Sequence, residues 1–169
     1  VTYWAHPRYK EWMSRTFKNT IPMLDFFSDK IGIEYPWDRY AQICCEGFGG
    51  GMENTSATTL GNWALHDERS FLDSNSDSLI AHELAHQWWG DLLTCKDWPH
   101  LWLNEGFASY FQALWTEESL GQDEFAYDML QKARNAIEGG KKKPIVYRNY
   151  DNPGEQFDSR AYPKGAWVL

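Results

Sequence analysis

The stretch that decides the fold is Asp77-Ser78-Leu79-Ile80-Ala81-His82-Glu83-Leu84-Ala85-His86-Gln87-Trp88-Trp89-Gly90, with Glu105 further on. On an α-helix, two histidines four residues apart are offset by only about 40° around the axis, so His82 and His86 can meet one metal ion from one face. Glu83 projects beside that face, where its carboxylate can accept a proton from water instead of ligating the ion. With Glu105 as a third ligand, two imidazoles and one carboxylate describe a zinc site with an open position, the donor set of a catalytic centre. By chance alone an amphipathic helix can carry His, Glu and His at these offsets. Here, however, Leu79, Ile80, Leu84, Ala85, Trp88 and Trp89 predict burial on most sides, where unpartnered polar groups are costly. Asn75, Ser76 or Asp77 is expected to cap the helix start and Gly90 to end it, placing the motif mid-helix.

Working outward, Trp102-Leu103-Asn104-Glu105-Gly106-Phe107-Ala108 opens a second helix, with apolar residues at helical spacing through Leu114 and Trp115. The loop from Asp91 to His100, which contains Pro99, would let the chain reverse and bring Glu105 to the histidines. An isolated glutamate near a helix start is otherwise a favourable charge at the helix dipole.

Upstream, Pro7 to Ile31 places Trp12, Phe17, Ile21, Leu24, Phe26, Phe27 and Ile31 at helical spacing before Gly32, which predicts one long helix with Pro22 as its kink. Tyr40 to Cys45 and Asn54 to Leu60 read as strands separated by a glycine-rich turn, in a small mixed sheet. A further helix is expected from Asp123 to Ile137. A solvated lysine loop should follow over Gly139-Gly140-Lys141-Lys142-Lys143-Pro144, and a helix should be starting at Ala166-Trp167-Val168-Leu169. The fold class is therefore α+β and mainly helical.

Composition narrows the function. The 169 residues carry a net charge of -8, which excludes a nucleic-acid surface. With 43% hydrophobic and 17% aromatic residues they can bury a sizeable core. No apolar run is long enough to span a bilayer. The three cysteines make no disulfide framework, since Cys44 and Cys45 are adjacent on a strand and point to opposite faces.

Five segments together resemble one family. His82-Glu83-x-x-His86 with Glu105 after 18 intervening residues, Gln87-Trp88-Trp89-Gly90-Asp91-Leu92, Trp102 to Ala108, Gly50-Gly51-Met52-Glu53-Asn54 and Tyr162-Pro163-Lys164-Gly165 are similar to the zinc aminopeptidases of the aminopeptidase N family. The resemblance runs over nearly the whole chain, and pairing the Gly-Met-Glu-Asn segment with the zinc motif makes it specific. It implies a thermolysin-like zincin catalytic domain, residues 1–169, with a small sheet beside the zinc-binding helices. One Zn2+ would be held by His82, His86 and Glu105. The reaction would be hydrolysis of the amino-terminal peptide bond by metal-activated water, with Glu83 as general base.

By the same resemblance, Gly50, Gly51, Met52, Glu53 and Asn54 form an edge strand along the substrate, Glu53 binding its free α-ammonium group. Read without it, the glycines make a turn or a close approach and Glu53 is a solvated residue. Tyr162 resembles the tyrosine that stabilises the transition-state oxyanion. One departure is Gln112, seven positions after Glu105, where relatives often carry an acid that orients a ligand. The implied partners are peptides with a free amino terminus and, in the whole protein, a preceding β-rich domain and a following helical domain. The first of these would supply a second carboxylate for the amine, so this chain alone is expected to cleave weakly. Two alternatives stay open: the same architecture acting on an epoxide, as in the leukotriene hydrolase branch, and a zinc-binding domain without catalysis.

Overall fold

The computed structural model describes residues 1–140 and 143–169, and the chain divides into two compact units, Val1–Gln87 and Trp88–Leu169. The first unit is built on a four-stranded sheet in the order β1-β2-β4-β3, where β1 is Thr2–Trp4, β2 Ala41–Cys45, β3 Gly51–Met52 and β4 Ala57–Gly61. β1, β2 and β4 pair in parallel and β3 pairs antiparallel with β4, so the sheet is mixed. The sequence reading gave no strand at β1. A three-residue segment is too short for local periodicity, and its order comes from the distant β2. The strand expected from Asn54 starts at Ala57 instead, because Ala57 N–H bonds to the Asn54 carbonyl (2.8 Å) and closes a turn first.

A parallel pair needs a long crossover, and α1 (Lys10–Thr16) and α2 (Thr20–Ile31) supply it between β1 and β2. The single helix predicted from Pro7 is thus divided: a 3-10 turn at Pro7–Tyr9, then α1, then a break at residues 17–19. Pro22 explains where the break falls. In a continuous helix its ring would collide with the carbonyl of Lys18, whereas as the third residue of α2 it lies in the first turn, where amide hydrogens lack helical acceptors. The kink therefore lies upstream of the proline and not at it. Thr20, Met23 and Phe27 form the buried stripe of α2, and the Thr20 hydroxyl donates to Oε1 of the buried Gln42 (2.8 Å) on β2. Gly32 ends α2 in the left-handed conformation (φ 74°), its N–H bonded to the Ser28 carbonyl. Along β2, Gln42 and Cys44 are buried while Cys45 on the other face is half-buried, and all three cysteines are free. Burial, reinforced by Cys45, pushes the Cys44 thiol up to about 12, so it stays protonated and behaves as a small apolar side chain.

The second unit contains a 3-10 turn at Trp98–His100, α4 (Trp102–Leu120), α5 (Gln122–Gly140) and a π-helix at Arg160–Lys164 that runs into a helical turn at Gly165–Trp167. Gly121, at φ 99°, separates α4 from α5. Gly106 of α4 and Gly165 are close enough that a Cβ on either would lie 2.7 Å from backbone atoms of the other, so both must be glycine for these segments to pack. The loop expected to begin at Gly139 begins later: Gly139 and Gly140 are still helical, and Lys141 and Lys142 of that loop lie outside the described residues. No helix among the described residues is long and apolar enough to cross a membrane.

Candidate metal centre

The motif helix is α3, Asp77–Ala85, and it is shorter than the sequence suggests. Its start is held by the Asn75 carboxamide, which accepts from Asp77 N–H (3.0 Å). Ser76 occupies the cap position without capping, since its hydroxyl instead donates to the Ala64 carbonyl (2.8 Å) and meets the His66 ring. At the other end His86 is itself the capping residue. The Gln87 N–H turns back to the Leu84 carbonyl (3.0 Å), three residues away, and that tightened turn ends the helix well before Gly90. His86 therefore stands at the helix terminus and not mid-helix. Gly90, at φ 141°, belongs to a later turn in which its N–H bonds to the Leu93 carbonyl.

The two imidazoles converge. Nε2 of His82 and Nε2 of His86 are 3.2 Å apart, with ring planes at 83° and ring centroids separated by 4.8 Å. Two nitrogens bound tetrahedrally to one zinc ion at about 2.05 Å would stand about 3.3 Å apart, so the separation fits a shared ion. The third ligand expected from the sequence, Glu105, lies in the first turn of α4 in the second unit. Two imidazoles and a carboxylate form the donor set that zinc takes in catalytic sites. His86 is 1%, Glu105 4% and Glu83 5% exposed, depths at which such groups are retained only with partners or an ion. The Glu83 carboxylate lies against the backbone of the edge strand: a Cβ on Gly51 would fall 2.0 Å from its Oε1.

The other residues singled out in the sequence are placed as follows. Of the five-residue Gly50–Asn54 segment, only Gly51 and Met52 are in strand, at the sheet edge. The Gly50 carbonyl accepts from Gly61 N–H (3.0 Å). Met52 is 41% exposed, Glu53 is half-buried, and the exposed Asn54 donates from Nδ2 to the Thr59 hydroxyl (3.2 Å). Tyr162 is half-buried in the middle of the π-helix, whose wide turn is closed by a bond from Lys164 N–H to the Ser159 carbonyl (3.0 Å). Such insertions recur at functional sites because they re-aim one side chain out of helical register. Arg160 anchors the turn: it is buried, donates from Nε to both carboxylate oxygens of Asp158 (2.9 and 2.8 Å) and lies over the Tyr147 ring. Gln112 is half-buried on α4, two helical turns beyond Glu105 and on the same face. The sequence reading assigned no role to Gln87, yet it is fully buried. The available signal was a polar side chain between a metal-motif histidine and two tryptophans.

The chain is similar to known proteins over most of its length. The family model described as Peptidase family M1 domain matches residues 15–169. Aminopeptidase N of Haemonchus contortus is 33% identical over 178 residues, an alignment covering 98% of this chain and 18% of that protein. Aminopeptidase N of Bos taurus is 36% identical, covering 89% of this chain and 17% of that protein. Among solved structures, a mutant M1 zinc metallopeptidase from Deinococcus radiodurans bound to a Tyr-Ser-Ala substrate superposes with a TM-score of 0.65 at 31% identity, covering 87% of this chain and 30% of that one. The chain spans less than a fifth of the length of these curated relatives.

Proposed function

We propose, on the premise that this chain belongs to peptidase family M1, that its whole protein is a zinc aminopeptidase and that these residues serve as its catalytic domain. The observation that carries the reading is the pair of converging imidazoles on α3, with a buried glutamate between them pressed against an edge strand. His82, His86 and Glu105 would hold one zinc ion, which would supply polarisation of the attacking water and of the scissile carbonyl. The Glu83 carboxylate accepts a proton from that water and returns it to the departing amine nitrogen, so one buried acid serves both steps. β3 offers its free edge to the substrate backbone, as exposed strands do for extended peptides. Glu53, at the exit of that strand, accepts the substrate's α-ammonium group. This pairing rejects internal amides, because an uncharged substrate would leave the carboxylate unpaired. The Tyr162 phenol donates to the carbonyl oxygen as it becomes anionic, and Gln112 orients the ligand shell through its amide.

The whole protein should release free amino acids from aminoacyl reporters, lose that activity to a zinc chelator and regain it with added zinc. Zinc-loaded protein without release would refute the reading. Within an active enzyme, Tyr162→Phe should lower turnover by about 10²–10³ with little change in bound zinc. Unchanged turnover would remove Tyr162 from the mechanism.

A further inference from the structure

The residue that follows the second histidine, Gln87, has both atoms of its side-chain amide and its backbone carbonyl hydrogen-bonded. Gln87 is 0% exposed, and its amide faces the turn after the edge strand. Its Oε1 accepts from Ser56 N–H (2.7 Å) and from the Tyr35 hydroxyl (3.3 Å), and its Nε2 donates to the Glu53 carbonyl (3.1 Å). Its backbone carbonyl accepts from Trp37 Nε1 (3.3 Å). A backbone N–H can only donate and a backbone carbonyl only accept, so the amide orientation has one solution.

The turn that this amide grips is strained. Ser56, at φ 60°, is the one non-glycine residue with a positive φ among the described residues. A side chain in the left-handed region is sterically disfavoured, and such residues persist where surrounding bonds over-determine them. Ser56 is held from both sides: its N–H by Gln87, and its carbonyl by Ala41 N–H of β2 (2.9 Å). Glu53 enters the same turn, and the Asn54 carbonyl closes it through Ala57 N–H (2.8 Å).

We infer that Gln87 is a positioning residue for substrate recognition, one whose amide sets the Glu53–Ser56 turn, and with it the Glu53 carboxylate, in register with the histidine that precedes it. The inference rests on the reading of Glu53 as the α-ammonium acceptor. The physical logic is that an ion pair discriminates only when its carboxylate is fixed. Gln87 is covalently next to His86, so its amide ties the amine pocket to the metal centre by one peptide unit, within the tolerance of a fraction of an ångström that such constellations need.

The test uses the whole protein and two probes that differ only in the amine: leucine hydroxamate and 4-methylpentanohydroxamate. Both engage the metal centre, and only the first presents an α-ammonium group, so the ratio of their inhibition constants isolates the amine pocket. Gln87→Met keeps the volume and removes the amide. It should cut the advantage of the amine-bearing probe about tenfold and raise KM more than it lowers kcat, with zinc content unchanged. Glu53→Gln is the reference. If it collapses the ratio and Gln87→Met leaves the ratio intact, the positioning role is wrong while the amine-binding reading stands. If Glu53→Gln itself leaves the ratio intact, the amine-binding reading fails and takes the inference with it. Equal weakening of both probes by Gln87→Met would show a purely structural role and also overturn the inference. Should Gln87→Met fail to fold, Gln87→Glu keeps the acceptor for Ser56 and Tyr35, loses the donor to Glu53, and is judged by the same ratio.

Discussion

Two helices of similar sequence prominence, α3 and α5, are built on opposite principles. Five of the nine residues of α3 are buried, Glu83 among them, and its apolar side chains show little one-sidedness. In α5 none of the residues described is buried, although its apolar and charged residues segregate clearly; Tyr127, Leu130 and Ile137 are 61%, 46% and 62% exposed. A clean amphipathic stripe thus marks the helix that touches the rest of its unit on one side only. The helix that carries the metal motif is buried over most of its length, with Ser78 exposed, and it is recognised by residue identity and not by periodicity. Burial of Glu83, 5% exposed, supports the base role proposed for it, since water that would otherwise compete for its carboxylate is largely excluded.

The sharpest way to break this comparison is at the two polar residues near the C-terminal end of α3. His86→Ala should reduce bound zinc and abolish nearly all turnover in the whole protein, as metal analysis beside reporter cleavage would show. Glu83→Gln should instead retain zinc while turnover falls about 10²–10⁴-fold. Stoichiometric zinc in the first variant, or full activity in the second, would mean that the roles of ligand and base have been exchanged or misplaced.

Packing gives the next largest effect. Leu84 is 0% exposed, so Leu84→Ala leaves a cavity and should cost about 2–5 kcal/mol in denaturant unfolding. A loss below about 1 kcal/mol would show that α3 relaxes into the space and is not rigidly enclosed.

The same contrast explains what the sequence disclosed. The convergence of His82 and His86 was legible because residues four apart share one helix face, and α4 because its apolar repeat is long. The early end of α3 was hidden, since the bond from Gln87 N–H to Leu84 replaces the helical one without any glycine or proline to announce it. β1 and the clamp by Gln87 were hidden for a shared reason. Each is defined by partners tens of residues away, Ala41–Ile43 for the strand and Glu53–Ser56 for the amide, and no local pattern encodes such a pairing. The break before α2 was readable in principle, from the rule that a proline ring excludes the carbonyl four residues earlier.

A smaller effect should appear at the start of α3. Burial raises the pKa of Asp77 above its ordinary 3.8, against an opposing hydrogen bond from Asn19 and the charge of Lys18. A carboxyl with a raised folded-state pKa binds more protons folded than unfolded. Its contribution is therefore favourable below the ordinary value and is lost as pH rises through the folded value. Asp77→Asn keeps an oxygen for the Asn19 amide (2.7 Å in the parent) and removes the titration. Stability measured against pH should then decline less just above 3.8 in the variant than in the parent. Parallel profiles would show that Asp77 does not sense its burial.

The smallest effect belongs to α5, and it carries the most information about the whole protein. Ile137 is 62% exposed in the last turn of that helix, where a cation also complements the helix dipole. On this chain's own contacts Ile137→Lys should change stability by no more than about 0.5 kcal/mol, the range of ordinary surface substitutions. Denaturant unfolding of the whole protein checks it. A loss of about 2 kcal/mol or more would require that the exposed stripe is covered by residues outside this chain. The contrast with α3 would then be one of which partner buries each helix, and not of whether it is buried.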